Sequence, residues 1–269
     1  MKTFFYGILL FCLANLAQAT GPRVTSALLT PAVNEIFALD SPAVLSLEST
    51  DGGVAAALIS AAFKVENTES TLTPLPLRTM LSYYLNEGDA LGIVGRNLTL
   101  SAAELKNVIV IPVLNLKESY FYYRPKHATL AWTGKLADFK NLTVGVNKDD
   151  DVTLYKKSEI NVEQQRLDDK INALISGKID VAREADFIMT NVLSKKSTVQ
   201  QNDIVRLEPN AGEAVVSIVF NKKHSQGAAL AKKFQQGLAK ILANGEYVSI
   251  LKNHIGNGTV EQYFVLPHH

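Results

Sequence analysis

The side chains able to do chemistry here are few, and their spacing favours recognition over catalysis. Five histidines occur, His127, His224, His254, His268 and His269, and only the terminal pair has metal-ligand spacing with another histidine or an acid. The one cysteine, Cys12, lies in an apolar run at the N-terminus. No G-x-S-x-G elbow, Walker loop or dinucleotide fingerprint is present. The chain therefore reads as a non-enzyme, with no catalytic residue, no metal and no cofactor expected. What remains is chemistry for holding a ligand. Tyr122 and Tyr123 within an aromatic run, and Trp132 after it, can stack on apolar or cationic parts of a small molecule, or pack in a core. The run Asn147-Lys148-Asp149-Asp150-Asp151 repels an anion and suits either a solvated helix start or a cationic contact.

The N-terminus reads as an export signal. Lys2 precedes the apolar run Phe4 to Ala14, and the small-residue exit Ala17-Gln18-Ala19 follows. A membrane span would need about 20 apolar residues, and Asn15 and Gln18 interrupt this one. Cleavage after Ala19 is expected, which would remove Cys12 and place the protein in the periplasm. Phe11 is too bulky before Cys12 for the usual lipid-attachment pattern. The chain has 27 basic and 26 acidic side chains, and removing Lys2 with the leader leaves 26 of each. That balance gives no basic excess for nucleic acid or for an anionic membrane surface. With 47% hydrophobic residues there is material for one large domain or two small lobes.

The elements that must position these groups follow from periodicity. Arg23 to Leu29 reads as a strand, and Ala43 to Leu47 as a short strand or extended loop. Val54, Leu58, Ala61, Ala62 and Val65 recur at helical spacing over residues 53–65, behind the turn residues Ser49 to Gly53. A short helix over 78–85 stops at Asn86-Glu87-Gly88, and Asp89 to Gly95 is a buried strand. The same helix-Gly-Asp-strand order returns further on: Leu167, Ile171, Leu174 and Ile175 mark a helix face, Gly177 ends it, and Ile179 to Ala182 begins a strand. Leu142 to Val146 is another buried strand. Glu118 to Pro125 and Glu213 to Lys223 are strands suited to carry the chain between two halves. Leu230, Phe234, Leu238, Ile241 and Leu242 form one last apolar stripe, Asn244-Gly245 breaks it, and Tyr247, Ile250 and Leu251 form a second. The pattern is α/β in both halves.

These pieces, in this order, resemble the family 3 extracellular solute-binding proteins, the periplasmic receptors of amino-acid uptake systems. The segments that carry the resemblance are Asp51-Gly52, Leu75-Pro76-Leu77-Arg78, Gly88-Asp89-Ala90, Leu136 to Val146, Leu174 to Asp180, and Phe234 through Tyr247. The resemblance implies a type II periplasmic binding fold, two α/β lobes joined by two crossing strands. On that reading residues 1–19 are the signal peptide, 20–119 with 221–269 form the first lobe, and 120–220 form the second with the hinge strands at its ends. It implies a monomer that closes on a small polar solute, such as an amino acid or related compound. The solute would be delivered to an inner-membrane ABC permease or reported to a sensor. A degenerate member that contacts an envelope protein instead is the alternative.

The resemblance also implies site residues, with departures. The family's carboxylate-binding Arg falls in a segment that here reads Ser101 to Lys106 and holds no Arg. Arg78 and Arg96 are the nearest substitutes, since a guanidinium makes two parallel bonds to a carboxylate; either can equally be a solvated surface residue. The family's acid for a ligand ammonium corresponds to Glu184 or Asp186, one residue out of register, and Arg183 beside them can neutralise one internally. With Tyr122, Tyr123 and Trp132 these make up the expected ligand contacts.

Overall fold

A computed structural model of the chain describes residues 34–39, 41, 43–46, 52–75, 79–80, 90–98, 100–117, 119–125, 130–148, 150–256 and 258–267. The expected leader, the strand expected at 23–29, Arg78 and most of the helix at 78–85 lie outside the described residues.

Two mixed sheets organise the described chain. The first is built from β1 (Glu35–Ala38), β2 (Thr71–Pro74), β3 (Gly92–Arg96), β4 (Val108–Leu116), β10 (Ala214–Asn221) and β11 (Phe264–Val265), in the order β11-β4-β10-β3-β1-β2. In it β1 pairs in parallel with β2 and β3, and β10 runs antiparallel between β3 and β4. The second contains β5 (Ser119–Tyr123), β6 (Thr143–Asn147), β7 (Asn161–Gln165), β8 (Val181–Ala185) and β9 (Val205–Leu207), in the order β7-β6-β8-β5-β9. Here β6 is parallel to β7 and β8, and β5 is antiparallel to β8 and β9.

The chain crosses from the first sheet to the second after β4 and returns between β9 and β10. The two passages are bonded to each other: the Ser119 amide donates to the Gly212 carbonyl and the Ala211 amide to the Ser119 carbonyl, both at 2.6 Å. Such a paired strand connection is the mechanical element about which two lobes can bend.

Helices cover the sheets where their apolar stripes demand it. In the first lobe α1 (Val54–Lys64) packs against the long helix Gly227–Ala243, with the Phe63 and Phe234 rings 5.1 Å apart. Phe63, Phe234 and Ile241 are at most 1% exposed, which is worth about 1.5–3 kcal/mol for each side chain. The helix Glu246–His254 follows after Gly245, and buried Tyr247 donates its hydroxyl to the Val113 carbonyl at 2.8 Å. In the second lobe the helix Leu167–Ser176 buries Leu167, Ile171 and Leu174 and ends on Gly177, whose φ of 77° is the left-handed cap that the sequence signals. A turn of helix, Val260–Tyr263, leads into β11.

Most of the expected elements stand close to their sequence positions, with boundaries shifted by one to three residues. The stretch at 43–47 forms no strand among its described residues; one bridge joins Ser41 to Leu45. In the acidic run, the Asp150 carboxylate accepts from the Asn147 amide, and Asp151 from the Thr153 amide at the start of the helix Thr153–Lys157.

Candidate functional site

Arg96 is the last residue of β3, at the C-terminal end of a strand that lies inside the first sheet between β10 and β1. Asn97 holds it there: with φ at 49° it turns the chain, its amide donates to the Val215 carbonyl, and its Oδ1 accepts from the Val215 amide at 2.9 Å. The strand end is thereby clamped to β10, and the guanidinium points towards the other lobe.

In the second lobe Glu184 precedes the last residue of β8, opposite Tyr120 of β5. Its carboxylate is 1% exposed and surrounded by donors. Arg96 donates to Oε1 from across the lobe boundary, the Ala185 amide donates to the same oxygen at 2.9 Å, and Lys170 Nζ donates to Oε2 at 2.9 Å. Burial alone would raise this carboxyl, but the Arg96 and Lys170 charges and their hydrogen bonds hold it well below the usual carboxylate range. It is ionised at any physiological pH.

Lys170, on the helix Leu167–Ser176, is fully buried. Its ammonium has three protons and three acceptors: Asn147 Oδ1 at 2.8 Å, the Arg183 carbonyl at 2.8 Å, and Glu184 Oε2. Burial pulls its pKa down against the attraction of Glu184. Room for its stem comes from Gly145 in β6, where a Cβ would stand 2.4 Å from Ile179 Cδ1 and 3.1 Å from Lys170 Cγ.

A second polar cluster lies on the same face of the second sheet. Tyr122 donates its hydroxyl to Asp186 Oδ1 at 2.7 Å, and Arg206 Nη1 donates to Oδ2 at 3.3 Å. The Arg206 guanidinium carbon sits 4.1 Å from the Tyr120 ring centroid, and its other end pairs with Glu208 at 2.9 Å. Burial, and then the Asp186 charge, push the Tyr122 phenol far above its ordinary value, so it stays a neutral donor.

The structure thus brings together four of the expected residues in two pairings: Arg96 with Glu184, and Tyr122 with Asp186. Tyr123 and Trp132 are placed apart from them. Tyr123 packs half-buried on the core beneath the opposite face of the second sheet. Trp132 stacks on Phe139 at 4.8 Å and 4° and donates Nε1–H to the Pro209 carbonyl at 2.7 Å. Arg183, whose side chain leaves the opposite face, donates to the Ala211 carbonyl rather than to either acid. The residues that sequence reasoning missed are Lys170 and Arg206. Lys170 had a signal: position 170 falls on the same helical face as Leu167, Ile171 and Leu174, where a lysine is out of place unless paired. Arg206 had none, since a three-residue edge strand carries no period. Among the described residues no group of three or more His, Cys, Asp or Glu side chains could hold a metal ion, and no helix is long and apolar enough to cross a membrane.

No family model matches the sequence, and no curated protein matches it. Solved structures do match. A mutant of ArgBP from T. maritima superposes with a TM-score of 0.67 at 15% identity, covering 84% of this chain and 96% of that one. The GluR0 ligand-binding core from Nostoc punctiforme in complex with L-glutamate gives 0.66 at 13% identity, covering 83% and 100%. A histidine kinase sensor domain with similarity to periplasmic binding proteins gives 0.65 at 16%, covering 83% and 96%. The chain has the bilobed type II periplasmic-binding fold. At these identities the likeness establishes the fold, two α/β lobes with a double connection, as the sequence implied. Within that fold Arg96 and Glu184 face each other from opposite lobes beside the connection.

Proposed function

We propose that this chain is an exported binding protein that holds a small polar solute between its lobes by bending at the double strand connection, and that it delivers the solute to a membrane transporter or reports it to a sensor. The observation that carries this reading is the convergence of charged groups from both lobes, Arg96 and Glu184, beside that connection. Relatives in shape that hold glutamate, or that belong to arginine-binding proteins, support an amino acid or similar compound as the solute class. Residues 1–19 serve as the export leader, and Arg78 is the further cation offered to a solute carboxylate. Binding, with no chemical change to the solute, fits a site whose acids and bases are already neutralised by one another.

Thermal unfolding with a panel of amino acids and other small metabolites tests this. Free solute at roughly 100 times its Kd stabilises a binder by about 2.7 kcal/mol. For a chain of this size that raises the Tm by about 5–10 °C. A panel that leaves the Tm unmoved overturns the reading.

One observation favours a second reading, a sensory or protein-contacting module of the same fold. Both oxygens of Glu184 are bonded within the chain, so this acid has little left to offer an incoming ammonium. Retention of an envelope protein in a pull-down, with no solute response, would support that version.

A further inference from the structure

We infer that Arg96 and Glu184 form a built-in latch between the lobes, positioned by Lys170, which favours the closed arrangement independently of any solute. This goes beyond the proposed binding function and stands whether or not a solute is found. Three observations carry it. First, the pair joins a charged side chain of the first sheet to a charged side chain of the second, so it bonds the two lobes directly. Second, it is dry: the Arg96 side chain is 12% exposed and Glu184 1%, so salt and water weaken it little. Third, one half of the latch is rigid. Glu184 is fixed by Lys170 and the Ala185 amide, and Lys170 is fixed by Asn147 and the Arg183 carbonyl, so little side-chain entropy is lost when Arg96 docks.

The charged groups facing Glu184 are Arg96 from β3 and Lys170 from the helix Leu167–Ser176, and Asp150 after β6 acts on both of those cations. Both near groups are cationic, so the carboxylate has no route to protonation in the ordinary pH range, and the latch is not a pH switch. Opening requires breaking the Arg96 contact, after which Glu184 still keeps Lys170. The second lobe is therefore the stable half of the device and Arg96 the moving bolt. A solute that can enter only between open lobes would associate at a rate reduced in proportion to the fraction of molecules that are open.

The experiment is a distance measurement between the lobes in the full chain without added solute. Spin labels are placed through Gln236→Cys in the first lobe and Lys157→Cys in the second, both exposed helix positions, in a Cys12→Ser background. The latch predicts one short interlobe distance for the otherwise wild-type protein, with an open population below about 10%. Arg96→Gln should shift most molecules to a second, longer distance, and Arg96→Lys, which keeps the charge, should restore much of the short one. Two results overturn the inference. One is an otherwise wild-type protein that already populates the long distance substantially, a result that needs no latch variant. The other is an Arg96→Gln protein, folded by circular dichroism, whose distribution is unchanged. Should Arg96→Gln not fold, Glu184→Gln is read in the same way.

Discussion

Glu184 and Asp186 are two residues apart, both acidic, and each lies between an arginine and a second donor, yet they differ in what they hold together. Glu184, next to last in β8, stands at the lobe boundary and is 1% exposed, bonded by a cation from each lobe. Asp186 opens the helix Asp186–Leu193 and is 13% exposed, bonded by Tyr122 and by an Arg206 that is 40% exposed, all within the second lobe. Burial separates them energetically. Removing one partner of a dry pair strands a charge where water cannot reach it, whereas a half-wet pair re-solvates what is left.

The largest effect should therefore come from Lys170→Met, which leaves Glu184 with only one cation. Urea unfolding should show a loss of about 3–5 kcal/mol, and a loss below about 1 kcal/mol would erase the contrast between the two acids. Acid titration sharpens it further. Because the Glu184 carboxyl is lower in the folded than in the unfolded chain, its stabilisation is complete above the unfolded value of about 4.3 and declines as pH falls below that. The stability difference between wild type and Glu184→Gln should be flat from about pH 5 to 8 and shrink by about 1.4 kcal/mol per unit below about pH 4.3. A difference that already falls between about pH 7 and 5 would mean the carboxyl is not held down as the geometry requires.

Effects at Asp186 should be smaller. Tyr122→Phe removes one hydrogen bond to a partly solvated acid and should cost about 1 kcal/mol in the same urea assay. Arg206→Ala, at the exposed edge strand, should cost no more than about 1 kcal/mol, and less in high salt. If Arg206→Ala proved as costly as Lys170→Met, exposure would not be what distinguishes the clusters.

Much of the architecture was legible because it rests on local periodicity. The helical spacing of Val54, Leu58 and Ala62, the stripe from Leu230 to Leu242 and the stop at Gly177 each specify an element through neighbours three or four residues away. The site was legible in parts. Arg96, Tyr122, Glu184 and Asp186 can be picked out by type and place, but their pairing runs across gaps of 88 and 64 residues. Trp132 carries the residue type of a ligand platform, yet its ring stacks on Phe139, a contact no spacing rule selects.

By itself the sequence determined that this chain forms α/β units in both halves and offers few catalytic groups, since hydrophobic period and residue type are local properties. Tertiary structure alone decided that residues 214–221 run between β3 and β4, that Lys170 turns inward through the gap at Gly145, and that Arg96 spends its charge on Glu184. Those outcomes depend on which surfaces exclude water together, and a linear pattern does not encode which distant partner shares a buried charge.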